Sequence, residues 1–367
     1  MINKDLAELN FGRDLDEICC LDPRGYGVCR ILQDATRKLY GGSAAMHCAK
    51  ELSSRLQEGD SVFFLTGFVL IPYGKAETDG ITGTVAVIHA LSTAFGIKPT
   101  VFCPSEAVSG IAAIAKVFDM EPLITDDPSK SAAGRLCIVE FPKDCWEAAE
   151  RATSLITAAL PKACISIEAP GANTKGAYHN STGKSVTSYE AKLDILFAAL
   201  QLKGVYTVSI GDLGNEIGLG VLESAIRDYV PGAAPGSCSC GCGGSIVAET
   251  KADSILTATV SDWGAYALCG ALAWLKDDIS LMPSENRIAD ALTAASTHGL
   301  IDMTGREIPA VDGCDLDLNK MIAGLMWKLV SGSQAQAEQS SKQFDAVSRL
   351  GYFSRKDVQC NDKDYRH

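Results

Sequence analysis

Aromatic residues make up only 7% of the 367-residue chain. No apolar run approaches the roughly 20 residues that a bilayer-crossing helix needs. Basic residues are in deficit, with 33 Lys and Arg against 45 Asp and Glu and a formal net charge of −12. Nothing basic is concentrated enough to release counterions from a phosphate backbone, which argues against nucleic-acid binding. The opening MINKDLAELNFGRDLDEICC lacks an apolar core and a cleavage site, so no secretory leader is expected. Also missing are a G-x-S-x-G elbow, an H-E-x-x-H pair, a G-x-G-x-x-G fingerprint and any C-x2-C pair. A hydrolase triad, a zincin and a dinucleotide fold therefore find no support.

What is present is 34 glycines, 14 cysteines and a repeating rhythm of short apolar runs and longer helical patterns. Strands are expected at Ser61–Thr66, Pro99–Cys103, Leu136–Phe141, Ala163–Glu168, Val205–Ile210 and Ser254–Val260. Their lack of polar alternation implies that both faces are covered. Helical patterns occupy Gly83–Phe95, Ser105–Phe118, Lys143–Leu160, Ser188–Leu202, Glu216–Tyr229 and Trp263–Leu275. Two more lie near Leu318–Val330 and Ala335–Leu350. The order predicts an α/β fold, a mainly parallel sheet with helices on both faces. An N-terminal helical region (1–60), an α/β catalytic core (61–300) and C-terminal helices with a tail (301–367) are expected to pack as one unit. Cys103, Cys137, Cys164 and Cys269 sit in apolar stretches, where they read as small buried hydrophobes in a reducing cytoplasm.

The acids carry the functional signal. Asp79 lies in GKAETDGITG after the first strand, and Glu168 ends ACISIE. Asp212 follows VYTVSI, Glu216 lies one turn further on, and Asp262 follows SILTATV. In parallel sheets ligands bind at the carboxyl ends of the strands, so these residues point to an acidic site on one edge. Gathered carboxylates repel unless protons or a cation neutralise them. Oxygen ligands suit Mg²⁺ or Mn²⁺, with Ca²⁺ a third option. The competing reading makes each acid an N-cap of the helix after it. HNSTGKS at 179–185 ends like a phosphate loop, but Tyr178 stands where its first glycine belongs. Cys238, Cys240 and Cys242 form C-x-C-x-C, whose spacing departs from zinc motifs. It reads as a Gly/Ser-rich loop or as a thiolate site.

Several stretches together resemble the D-glutamate cyclase family, in its C-terminal-type catalytic domain. They are TGF (66–68), ETDG (77–80), SIEAPG (166–171), GAYHNSTGK (176–184), GDLGNEIGLG (211–220) and SDWGAY (261–266). The resemblance implies an α/β fold, a divalent-metal site built from acids, and cyclisation of D-glutamate to 5-oxo-D-proline with loss of water. The chain departs from the family pattern at Ile81 and Thr82 (prolines), Leu213 (glycine), Asp262 (asparagine) and Thr182 (arginine). An added carboxylate and a lost guanidinium favour a substrate with one fewer carboxylate or an extra amine.

The expected site therefore comprises Asp79, Glu168, Asp212 and Glu216 as metal ligands. Asp262, His179 and Lys184 are candidates for proton transfer, with Lys184 alternatively binding the substrate carboxylate. Thr66, Gly67, Thr78, Asn180 and Asn215 would contact a small amino-acid substrate. A metal-dependent phosphatase or phosphoesterase, and a non-catalytic metal or small-molecule binding protein, use the same acids and remain open. No membrane partner is expected, and a homodimer is left open.

Overall fold

The structure, a computed structural model, describes residues 4–350. Three helices open it: α1 (Lys4–Cys19), α2 (Val28–Tyr40) and α3 (Ala44–Arg55). Asp16 on α1 caps α3, its carboxylate accepting the Ala44 and Ala45 amides and the Ser43 hydroxyl. Seven parallel strands form the sheet. They are β1 (Ser61–Thr66), β4 (Lys98–Cys103), β5 (Glu121–Ile124), β6 (Arg135–Glu140), β7 (Ala163–Ile167), β8 (Tyr206–Gly211) and β9 (Ser254–Thr257). Their spatial order is β5-β6-β4-β1-β7-β8-β9. The short hairpin of β2 (Val69–Leu70) and β3 (Lys75–Ala76) stands apart from this sheet.

Strand side chains alternate between two apolar layers, and neither faces water. Val62 and Phe64 of β1 enter the larger layer, while Phe63 and Leu65 enter the other. The larger layer is built with α1, α3, α4 (Ile81–Phe95), α5 (Val108–Val117), α9 (Ser261–Lys276), α10 (Glu285–Thr297) and α11 (Leu316–Arg349). The opposite layer takes α2, α6 (Cys145–Ala158), α7 (Leu193–Gln201) and α8 (Glu223–Tyr229). All six predicted strands are present, and the sheet is α/β and parallel throughout.

Several boundaries moved for local reasons. The Glu216–Tyr229 pattern is α-helical only from Glu223, after a 3-10 turn at Gly220–Leu222, because Gly214 and Gly218 hold positive φ and keep 212–219 a loop. The two C-terminal patterns are one continuous helix, α11. Edge strand β5 (EPLI) is four residues with no apolar block, too short to read from sequence. Helix α10 and the β2–β3 hairpin were also unforeseen, while α1 to α3 fall in the expected N-terminal helical region. The expected tail beyond 350 lies outside the described residues. Among those residues, no helix is long and apolar enough to cross a membrane.

Helices α4 and α9 cross in close contact, and glycine makes that possible. A Cβ on Gly83 would lie 2.7 Å from the Ala265 Cβ and 2.9 Å from the Asp262 Cα. Gly83→Ala should therefore cost about 1–3 kcal/mol through overpacking. Gly42→Ala, where nothing lies within 4 Å, should stay within about 0.5 kcal/mol of the parent. Urea denaturation of both variants checks this.

Candidate active site

The strand order reverses at β1. The chain first runs outward to β4, then returns across the sheet to β7 on the other side of β1. Helices before and after such a point leave on opposite faces, which opens a crevice beyond the strand ends. A cavity of about 210 Å³ lies there. Glu77, Asp79, Glu168, Asp212 and Asp312 line it, with Asn180, Ser181, Thr182, Asn215 and a side wall of Phe68, Leu70, Ile71, Tyr73, Leu213 and Met303. The lining contains no Lys, Arg or His.

Three carboxylates converge most closely. Glu168, Asp212 and Glu216 are buried, and each offers an oxygen within 4.8 Å of the others. Glu168 has φ of 45°, a left-handed conformation unusual for a non-glycine residue. Gly80 accommodates it, since a Cβ there would fall 2.3 Å from the Glu168 Cβ. Glu168 accepts the Ser261 hydroxyl at 2.5 Å. Glu216 accepts the amides of Leu213 and Gly214 at 3.2 and 2.7 Å, which turns GDLGNE back on itself. Burial drives the Glu168 and Asp212 carboxyls well above the ordinary range. Glu216 and Asp79 raise Glu168 further, and Glu168 and Glu216 do the same to Asp212. These groups are acceptors when ionised, so the trio fits a hard divalent cation or, without one, bound protons.

Asp79 is committed differently. Its carboxylate accepts the Ser261 and Asp262 amides at 3.1 and 2.9 Å, capping α9 rather than its own helix α4. Burial, with Asp312 beside it, raises its pKa to about 7 despite these bonds. Asp79 is thus a helix cap, but of α9 and not of the helix after it as the capping reading had it, and it still lines the cavity. Glu77 is buried next to it and pushed well above the carboxylate range by that burial and by Asp79. Asp312 pairs with Arg24, whose guanidinium also donates to the Thr259 carbonyl at 2.6 Å.

The other expected residues divide. Asn180 and Asn215 line the cavity, and the Asn215 amide donates to the His179 carbonyl at 3.1 Å. Thr66 and Gly67 lie at the end of β1 without lining it. Thr78 donates to the Ala310 carbonyl at 2.7 Å and ties down the 301–314 segment. Asp262 is wholly buried, accepting the Gly83 amide at 2.6 Å and the Tyr266 hydroxyl at 3.3 Å. Lys184 is exposed, and neither it nor His179 lines the cavity. The His179 Nε2 lies 3.1 Å from the Cys240 sulfur.

Sequence reasoning missed Glu77, Asp312 and Met303. Glu77 stands inside ETDG, two residues from Asp79, and could have been read from that motif. Asp312 and Met303 follow no strand; their segment reaches the cavity because Ile301 pairs with Glu77.

Residues 15–326 match the family model described as D-glutamate cyclase-like, C-terminal. The chain belongs to this D-glutamate cyclase-like family. It is 25% identical over 273 residues to a human protein named D-glutamate cyclase, mitochondrial. The match covers 71% of this chain and 38% of that protein, so the chain spans well under half of its relative's length. In this D-glutamate cyclase-like chain, two departures from the family pattern, Thr182 and Leu213, face the cavity. Asp262, Ile81 and Thr82 are buried behind it.

A carboxyl whose folded pKa exceeds its unfolded value binds its proton more tightly in the folded state. Folding then takes up protons, and stability falls as pH rises through that window. The metal-free protein should therefore melt at a higher temperature at pH 7 than at pH 8, the window set by Asp79 at about 7, with Glu77, Glu168 and Asp212 raised in the same direction by burial. His47, His89 and His179 have depressed pKa values and oppose the trend only below this range. Calorimetry in EDTA at the two pH values measures it; a flat or inverted profile would refute the buried-acid account.

Proposed function

We propose that the chain is a metal-assisted cyclase, a lyase that converts D-glutamate or a related amino acid to a 5-oxoproline-type lactam. The observation that supports it best is the buried trio Glu168, Asp212 and Glu216 at the foot of a small acidic cavity. The chemistry balances simply. The α-nitrogen forms a bond to the γ-carboxyl carbon, one C–O bond breaks, and the two protons lost from the ammonium leave with that oxygen as water. Both reacting groups belong to one molecule, so holding the substrate folded removes most of the entropic barrier.

The trio would hold a divalent ion, Mg²⁺ or Mn²⁺ by its all-oxygen donor set, and the ion would polarise the γ-carboxyl carbonyl. Glu77 and Asp79 line the cavity outside the trio and in this reading would receive the ammonium protons. Asn180 and Asn215 can hydrogen-bond the α-carboxylate. Asp262, His179 and Lys184, the sequence candidates for proton transfer, stand away from the lining and are not used in this reading. Phe68, Ile71 and Met303 cover the chain of a short substrate and exclude water.

With no basic side chain in the lining, the cavity favours the ammonium end of a substrate and disfavours a second free carboxylate. A phosphate ester, carrying two negative charges, is disfavoured more strongly. The substrate class is therefore an amino acid less anionic than, or equal to, D-glutamate. The reducing compartment proposed is the cytoplasm; the 13 described cysteines are all free thiols.

Mg²⁺ or Mn²⁺ should raise the melting temperature, and EDTA should reverse the shift. Asp212→Asn should abolish the shift and cut lactam formation by about 100-fold or more. Glu223→Gln, on the exposed face of α8 and ion-paired with Arg227, should leave both intact. Chromatography of D-glutamate and its α-amide, both of which keep the γ-carboxyl, after incubation with protein and Mn²⁺ reads the product. Phosphate release from an ester without lactam formation would overturn the cyclase reading.

A further inference from the structure

The C-x-C-x-C loop does not float free. Cys238, Cys240 and Cys242 bring their sulfurs together with the imidazole of His179, and the four donor atoms all lie within 4.8 Å of one another. The Cys238 and Cys242 sulfurs are 3.2 Å apart, and the Cys238 and Cys240 sulfurs 3.6 Å. The His179 Nε2 is 3.1 Å from the Cys240 sulfur. A tetrahedral zinc with Zn–S bonds of about 2.3 Å has S···S edges of about 3.8 Å and slightly shorter S···N edges. The cluster is close to that figure and well beyond a disulfide bond of about 2.05 Å.

The backbone explains how so short a spacing converges. In an extended strand, residues two apart share a face but stand too far apart to share an ion. Gly241 and Gly243 both have positive φ, 77° and 74°, and fold the chain back around the thiols. Further donors surround the sulfurs. The Gly244 amide points at the Cys242 sulfur at 3.3 Å, and the buried Asn173 amide nitrogen lies 3.7 Å from it. Such N–H groups stabilise thiolates and orient ligands. Asn173 is itself fixed by donating to the Ser245 carbonyl at 2.7 Å.

We propose that His179, Cys238, Cys240 and Cys242 form a second metal site, for zinc or another soft divalent ion. The ligands are chemically distinct from the all-oxygen trio, so the two sites select different ions. The site's place in the fold assigns its role. His179 opens the turn whose Asn180, Ser181 and Thr182 wall the acidic cavity. Ser239 fastens to the same turn, its amide and hydroxyl both donating to the Gly183 carbonyl. An ion bound there cross-links residues 238–242 to residue 179 and fixes the wall that carries Asn180 and Thr182.

Cobalt exchange into the full chain, kept in reductant, tests this without reference to turnover. Thiolate ligation gives intense sulfur-to-cobalt charge-transfer bands that carboxylate ligation cannot produce. The protein as purified should hold one zinc per chain in this site, and Co²⁺ should show the thiolate spectrum. Cys240→Ser changes an exposed side chain, so the fold should survive, while zinc affinity should fall at least tenfold and the band should weaken. Asp212→Asn should leave the band unchanged. Zinc should also slow hydrogen exchange of the amides at 180–184 and 238–244. The proposal is overturned if Co²⁺ gives no thiolate band, or if Cys240→Ser and His179→Gln both keep the parent spectrum. A Cys238–Cys242 disulfide in protein alkylated before reductant is added would overturn it too.

Discussion

Five carboxyl groups line one cavity whose lining contains no cationic side chain, and much of the surrounding structure accommodates that charge. Bringing Glu168, Asp212 and Glu216 within 4.8 Å in a buried setting is costly unless something positive sits between them. The fold supplies partial positive charge through backbone amides. Asp79 takes the first amides of α9, and Glu216 takes those of its own turn. Arg24 reaches in from the N-terminal region to balance Asp312. The trio itself keeps its repulsion, which bound protons or a cation would relieve.

The same constraint organises the rim. Asp79 both lines the cavity and holds the start of α9, so the edge of the site and the helix packed on α4 are one structural unit. Thr78 and Glu77 recruit the 301–314 segment by a hydrogen bond to Ala310 and pairing with Ile301. Trp263, one residue past Asp262, donates to Asn319 at 2.8 Å and carries the linkage into α11. The edge of the cavity is thereby tied by hydrogen bonds to helices far along the chain.

Much of the sheet was legible because a fully covered parallel sheet leaves a strong mark: SVFFLT, LCIVEF and ACISIE are apolar on both faces. The acids at the strand ends were legible for the same reason, since the strand end fixes where the next residue must point. Legibility failed where position depended on another segment. Asp312 and Met303 follow no strand, and β5 has no pattern of its own. His179 read as a proton-transfer candidate because it lies in a conspicuous loop. Its ring instead meets the Cys240 sulfur, 61 positions away, a contact that spacing cannot express.

By itself the sequence determined the α/β class, the parallel order of elements and the family, because hydrophobic periodicity and short motifs are local. It also determined which acids arrive at the sheet edge. Tertiary structure alone decided which of them converge. The strand order β4-β1-β7-β8 sets Glu168 beside Asp212 and turns Asp79 toward α9. It further decided that the lining lacks a cationic side chain and that three close cysteines share their corner with a distant histidine. Those outcomes depend on distances across strands and loops, set by packing over the whole core.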